Sequence, residues 1–416
     1  MRFSDIQAEV LIAGAGPAGA ATSLFLSKHK IHHVILDKAS FPRDKICGDA
    51  LSGKVVYVLN QLNTSFVAEL QSKDEYLGSY GVQFVAPNGK ALDIPFSNTI
   101  SALPHAPGFI AKRTDFDNYL FRKLDPVYTR VLENTTILNL EYTPSGVHIL
   151  LDNHGEILQV ESKIIIGAEG DRSVVAKHLA GFKKEDKHYC AGLRTYYQGI
   201  SGLHHQNFIE LHFLKDFLPG YLWVFPMPDG MANVGVGMLS EVISKKKINL
   251  RAEMAKAIES NPALRQRFQK AVPIGEPKGW GLPLGSKKRK LSGDHFLLVG
   301  DAASLIDPFT GEGIGNAMLS GMIASEIIKN AVHNQKFDAR SLASYDESIY
   351  NALWSELKLS HTLQKLTNYA WLFNFVVNKA AKSKTLRDTI TCMFEDIDMR
   401  SRLKDPRFYL KLLFNK

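Results

Sequence analysis

A chain of 416 residues is too long for a single core, and 45% hydrophobic with 22% charged residues is a globular balance that excludes a disordered or fibrous protein. Three scattered cysteines, Cys47, Cys190 and Cys392, form neither a CxxC pair nor a zinc spacing; this excludes a disulfide framework, fits a reducing compartment and leaves no metal site expected. The formal net charge of +8 favours contact with something acidic (anionic lipid, an acidic redox partner or phosphate) or serves solubility alone.

Met1 to Glu9 is polar and runs into a strand, so no signal peptide is expected. Val10 to Ala13 predicts a short buried strand, Gly16 to Leu26 a helix and His33 to Leu36 a second buried strand, a βαβ opening. Gly53 to Leu62 has helical character. Gly81 to Val85 and Ala91 to Ile94 predict a hairpin around Pro87-Asn88-Gly89. Thr114 to Leu124 predicts a helix capped by Thr114 or Asp115, and Lys163 to Gly167 a buried strand. Strands follow at Leu193 to Tyr197, Phe208 to Phe213, Tyr221 to Phe225 and Ala232 to Gly237, an antiparallel sheet inserted into an α/β domain. Leu250 to Ser260 is a helix stopped before Asn261-Pro262. Phe296 to Val299 is a strand, Gly313 to Ile328 the helix after it, and helix continues from Ser341 onward. No stretch reaches the about 20 apolar residues of a spanning helix. A cytoplasmic protein follows, with peripheral membrane contact left open.

Three segments carry chemistry. In Gly14-Ala15-Gly16-Pro17-Ala18-Gly19, the first glycine permits a tight turn, the second admits a pyrophosphate, and the third lets helix and strand pack. Pro17 sits where a missing N–H costs little, the helix N-terminus faces the phosphates, and Asp37, at the end of the second strand, binds ribose hydroxyls. The second segment joins Gly300-Asp301 to Pro308-Phe-Thr-Gly311-Glu-Gly313. There Asp301 is placed to hold a hydroxyl of a sugar-like chain, or to cap a helix. Gly311 and Gly313 offer bare N–H groups to an electron-rich ring edge. The third, Ile164-Ile-Ile-Gly167-Ala-Glu169-Gly-Asp-Arg-Ser173, is a strand and a turn packed near the first, or a charged surface turn.

These segments, in this order, resemble the FAD enzymes typified by p-hydroxybenzoate hydroxylase, over nearly the whole chain to Asn330. The resemblance implies FAD, with Asp301 on the ribityl chain, Gly311 and Gly313 by the flavin ring, and Arg113 in contact with the cofactor. Glu169 and Ala176 depart from the family, which carries Asp and Arg there. Two further segments, Phe41-Pro-Arg-Asp-Lys45-Ile-Cys47-Gly48-Asp-Ala-Leu-Ser52 and Pro219-Gly-Tyr221-Leu-Trp223-Val-Phe225-Pro226 with Ala232-Asn-Val-Gly-Val-Gly237, resemble the geranylgeranyl reductases. Halogenases carry a related segment with a second Trp and an Ile where this chain has Tyr221 and Phe225. The cofactor contacts so implied are Gly14, Gly16, Pro17, Ala18, Gly19, Asp37, Lys38, Lys45, Cys47, Gly48, Arg113, Gly300, Asp301, Pro308, Gly311, Gly313 and Ile314. Tyr221, Trp223 and Phe225 alternate on a strand, so they share one face and make a floor for an apolar substrate, or are simply core.

The expected fold is α/β: an FAD-binding Rossmann-like domain from residues 1–78, 106–185 and 286–335, an inserted sheet-rich substrate domain from 79–105 and 186–285, and a helical C-terminal region, 336–416. The implied activity is FAD-dependent reduction or dehydrogenation of C=C bonds in a prenyl-like or other apolar small molecule. Hydride comes from the reduced flavin and the proton from the Cys47 thiol or water. The alternatives are an FAD-dependent monooxygenase of an aromatic substrate and a non-catalytic electron carrier. The electron donor is NAD(P)H or a redox protein. The Lys287-Lys288-Arg289-Lys290 run and the basic, apolar tail from Arg400 are candidates for membrane contact, and no nucleic-acid motif occurs.

Overall fold

The computed structural model describes residues 4–97, 104–383 and 387; Cys392 and the basic tail lie outside them. The strand Ser4–Ala13 is the spine of the first sheet. It runs parallel to His33–Leu36 on one side and to Glu156–Gly167 on the other. Phe296–Leu298 extends the sheet beyond Glu156–Gly167, and Thr129–Leu132 extends it beyond His33–Leu36, both in parallel. Helix Pro17–Lys28 makes the βαβ crossover, and helix Ile314–Asn334 packs against it. Burial on both faces explains the unbroken apolar runs at Val10–Ala13 and Ile164–Ile166. The carboxyl ends of four parallel strands thereby meet, delivering Gly14, Asp37, Ala168 and Asp301 to one rim, where open α/β sheets bind ligands.

Thr135–Thr143 and Gly146–Asn153 form an antiparallel pair leading into Glu156–Gly167. The sequence pattern does not announce them, because Leu138 and Tyr142 face solvent and blur the alternation. The helix expected to start at Thr114 spans Arg113–Arg122, and no side chain among the described residues caps it. Arg113 occupies its first turn because it pairs with Asp117 one turn on.

The second sheet has seven strands, in the order Val272–Pro283, Tyr189–Gln198, Met231–Leu239, Tyr221–Pro226, Ile209–His212, Gly81–Val85, Ala91–Pro95. It is not wholly antiparallel as expected: Ile209–His212 runs parallel to Gly81–Val85, because that hairpin arrives from a separate stretch of chain. Val272–Pro283 is a strand that the sequence pattern conceals. It carries Pro273, Pro277 and three glycines, tolerated on the sheet's outer edge. Period-two alternation divides this sheet's faces. Leu222, Val224, Val234 and Val236 pack under helices Leu250–Ser260 and Pro262–Phe268 with Met254, Leu264 and Phe268, each such buried side chain contributing about 1.5–3 kcal/mol. Phe84, Leu211, Phe213, Trp223 and Phe225 face the other way, toward Phe309 and helix Ala370–Lys382. Lys54 ties helix Gly53–Leu62 to two other helices of the first core. Its buried ammonium donates to Asn316 Oδ1 (2.5 Å) and Glu356 Oε1 (2.9 Å), the latter on helix Ser344–Leu366. No helix among the described residues is long and apolar enough to cross a membrane.

Candidate active site

A cavity of about 1200 Å³ runs from the glycine turn of the first sheet to the aromatic face of the second. The turn is built by backbone necessity. Gly14 has φ +97°, and a Cβ there would lie 2.5 Å from the Ala168 carbonyl oxygen. A Cβ on Gly19 would lie 1.8 Å from the Gly14 oxygen, so Gly19 serves packing. At Gly16 a Cβ would approach only Arg43 Nη2, at 3.4 Å. The protein therefore does not fill the space beside Gly16, and helix Pro17–Lys28 has no side-chain cap on its first N–H groups among the described residues. Bare donors at a helix N-terminus beside an open glycine form an anion cradle.

Asp37 braces the cradle. Its Oδ2 accepts from Ala15 N (2.9 Å) and its Oδ1 from Ala39 N (3.0 Å), with Arg43 Nη2 at 3.6 Å; lone pairs remain for a further donor. On the same rim, past the end of Phe296–Leu298, Asp301 lines the cavity. Burial raises its pKa, while Lys45 and Arg113 oppose the shift. The first turn of helix Ile314–Asn334 is capped by Glu312, whose Oε1 accepts from Gly315 N at 2.6 Å, so Asp301 is not its cap. The Lys45 ammonium sits 3.4 Å from the Trp280 ring centroid, and burial lowers its pKa to about 8 against the pull of Asp301. Arg113 is buried, donates to both Asp117 oxygens at 2.6 and 2.7 Å, and hydrogen-bonds Cys47. Burial pushes the Cys47 thiol up, against Arg113.

On the far wall, neighbouring ring centroids of Tyr221, Trp223 and Phe225 are 6.3 and 6.2 Å apart. Tyr221 Oη donates to the Thr310 carbonyl (2.6 Å), fastening the aromatic strand to the loop that carries Gly311. Trp223 Nε1 donates to Asn233 Oδ1 (2.9 Å). Asn233 Nδ2 donates to the Cys47 carbonyl and to Asp49 Oδ2, both at 2.8 Å.

Of the residues singled out in the sequence, Gly14, Gly16, Pro17, Ala18, Asp37, Lys38, Lys45, Cys47, Gly48, Arg113, Asp301, Gly311, Gly313, Ile314, Tyr221, Trp223 and Phe225 line this one cavity. Gly19, Gly300 and Pro308 do not. A Cβ on Gly300 would press on Ala18 and Ala317 at 3.0 and 3.1 Å, and the Pro308 carbonyl accepts from Gln364. Glu169 acts locally. Its Oε1 accepts from Val174 N and Val175 N at 3.0 and 3.1 Å, anchoring the short helix Val174–His178. Arg43, Asp49, Arg194 and Trp280 also line the cavity. Arg43 and Asp49 fall within the Phe41 to Ser52 segment, where the resemblance assigns them no role, and no motif points to Arg194 or Trp280.

A phosphate cradle, an acid at the carboxyl end of each of two strands of the first sheet and a long adjoining cavity define an FAD-dependent oxidoreductase. The FAD binding domain model matches residues 7–348. The chain belongs to that family, in its geranylgeranyl reductase-like branch. It is 30% identical over 375 residues to the digeranylgeranylglycerophospholipid reductase of Methanococcus vannielii, covering 88% of this chain and 90% of that protein. It is 27% identical over 336 residues to the menaquinone reductase of Mycolicibacterium smegmatis, with 78% and 77% covered. Among solved structures, a geranylgeranyl bacteriochlorophyll reductase-like protein of Thermoplasma acidophilum superposes with TM-score 0.79 at 21% identity, over 97% of this chain and 100% of that one. A flavin-dependent brominase shares the fold at TM-score 0.76 and 20% identity, with 94% and 93% covered.

Proposed function

We propose that this protein reduces C=C bonds in the prenyl chain of a lipid. One observation carries the reading: the cofactor cradle and the aromatic floor open into a single cavity of about 1200 Å³, above the range of about 300–1,000 Å³ usual for one drug-sized ligand. The space suits a dinucleotide and a chain laid end to end. Beyond Trp223 the walls are apolar, from Phe84, Phe309, Leu363, Phe373 and Val377, so a prenyl chain gains burial and meets few polar groups. The names of the relatives support the same substrate class. FAD, when bound and reduced, supplies hydride. Asp37, Asp301 and the glycine turn hold the cofactor, while Tyr221, Trp223 and Phe225 orient the chain and exclude water. Electrons enter from NAD(P)H or a redox protein.

The test uses reduced holoprotein and a geranylgeranylated phospholipid in detergent, read by mass spectrometry as a gain of one hydrogen molecule per reduced bond. Trp223→Ala removes both the floor and the N–H that orients Asn233. It is expected to lower turnover at least about 50-fold, roughly 2.3 kcal/mol, while flavin content stays parental. Unchanged kinetics in this variant return the three aromatics to a packing role.

A lipid substrate also needs a way in. On helix Ala370–Lys382, Phe373, Val376 and Val377 line the cavity. Trp371 and Phe375 stand on the opposite face, 70% and 57% exposed. Lys382, seven residues beyond Phe375, falls on that face too. An in-plane helix with aromatics and cations toward the headgroups suits an anionic bilayer, here beside the apolar end of the cavity. In co-sedimentation with anionic vesicles, Trp371→Glu with Phe375→Glu is expected to weaken binding at least about tenfold, near 1.4 kcal/mol. Parental protein that binds no anionic vesicle at low salt removes the membrane reading.

A further inference from the structure

Reduction of a C=C bond consumes a proton as well as a hydride, and a buried carboxyl, Asp49, is among the residues lining the cavity. Asp49 follows the Cys47-Gly48 turn with φ +70°. It is fully buried yet lines the cavity beside Trp223 and Phe225. Its two oxygens are treated differently. Oδ2 accepts from Tyr196 Oη (2.7 Å) and Asn233 Nδ2 (2.8 Å). Oδ1 is buried and has no hydrogen-bond partner among the described residues. A carboxylate with one satisfied and one orphaned buried oxygen bears a desolvation cost that protonation of the orphan relieves.

We propose that Asp49 is the catalytic acid of the reduction. The proposal rests on the reductase reading above. The Oδ1–H bond breaks as a C–H bond forms from the alkene π pair, at the carbon that does not receive the hydride. The hydride's electron pair makes the other C–H bond, and the two electrons added overall come from the reduced flavin. The carboxylate left behind keeps its bonds from Tyr196 and Asn233, which stabilise the developing charge without moving. Water admitted to the cavity between turnovers restores the proton. Tyr196 and Asn233 are positioning residues, and Trp223 acts through Asn233, so floor and acid share one scaffold.

The charged and titratable neighbours are Arg113, Arg194, Tyr196 and Cys47. The Arg194 guanidinium stacks 4.2 Å from the Tyr196 ring centroid. Burial raises the Asp49 pKa to about 6, against the Tyr196 and Asn233 hydrogen bonds and both arginine charges. A carboxyl poised there is the better acid at neutral pH than the Cys47 thiol, which burial holds above its ordinary value. The acid works protonated, so the rate falls as pH rises through that value.

Asp49→Asn keeps the size and the bonds to Oδ2's position but cannot donate from Oδ1 as an acid. In single-turnover reduction of the geranylgeranylated phospholipid by prereduced holoprotein, it is expected to slow the step at least 100-fold with flavin content unchanged. The parental rate should fall tenfold per pH unit above about pH 6. A second readout needs no turnover. Carbon NMR of aspartate carboxyls in the apoprotein, with Asp49→Asn locating the signal, should show a midpoint near pH 6, and Tyr196→Phe should move it upward by removing a donor to the ionised form. Parental turnover in Asp49→Asn overturns the proposal, as does an Asp49 carboxyl that titrates near the ordinary value of about 4. A parental protein that reduces no prenyl chain overturns the function itself and the acid's role with it, a result separable from either of those.

Discussion

Replacing Gly16 by valine is expected to leave the apoprotein folded and to abolish FAD binding. The backbone there is extended, φ −68° and ψ −176°, which suits a β-branched residue. The added Cβ meets only the far end of the Arg43 side chain, at 3.4 Å. The protein should lose less than about 1 kcal/mol of stability. The cofactor's pyrophosphate, which needs that volume against the helix N-terminus, should bind at least about 100-fold more weakly, near 2.7 kcal/mol. Gly19→Val serves as the contrast. Its Cβ would overlap the Gly14 oxygen at 1.8 Å, so the apoprotein itself should lose about 2–4 kcal/mol. Thermal unfolding of the apoproteins and flavin titration by fluorescence quenching separate the two. Parental flavin affinity in Gly16→Val would mean the cradle is not the phosphate site.

The second large effect is expected at Arg113, and it falls on the fold before it falls on the cofactor. Both Asp117 oxygens are held by Arg113, and Arg43 Nη1 adds one contact at 3.0 Å. Asp117 is 1% exposed. Arg113→Met leaves that carboxylate with Arg43 alone, in a site water does not reach. Breaking a buried pair from one side costs about 3–5 kcal/mol, and the remaining arginine puts this variant at the lower end, about 3 kcal/mol. Denaturant unfolding of the apoprotein measures it. A loss below about 1 kcal/mol would show that Arg113 is retained for the cofactor and not for Asp117.

The cradle is legible in the sequence because it is local. A strand, a turn and a helix within residues 10–28 carry their own periodicity and their own glycines, and the pairing of Leu11 with Val34 needs only one crossover. The aromatic floor is legible for the same reason, since alternation along Tyr221–Pro226 decides the face without any partner. What the sequence withholds depends on distant chain. Asp49 lies in a legible segment, but its environment is made by Tyr196 and Asn233, well over a hundred residues away, and local sequence does not show that the carboxyl is buried. Glu169 reads as a departure from a family pattern and proves to be a local anchor for Val174–His178. Val272–Pro283 is hidden by its own prolines and glycines, tolerated because an edge strand pairs on one side only.

The order of the first sheet has a consequence for biosynthesis. Phe296–Leu298 pairs beside Glu156–Gly167, and Asp301, Gly311 and Gly313 reach the rim only after that strand is in place. The Gly14 turn leaves the ribosome first, but the wall opposite it comes from the last third of the described chain. A nascent chain halted before residue 313 can form the opening βαβ unit and still lack the loop that closes the site. Flavin therefore enters only after that loop has been made, and the apolar faces of both sheets must stay apart from other chains until then.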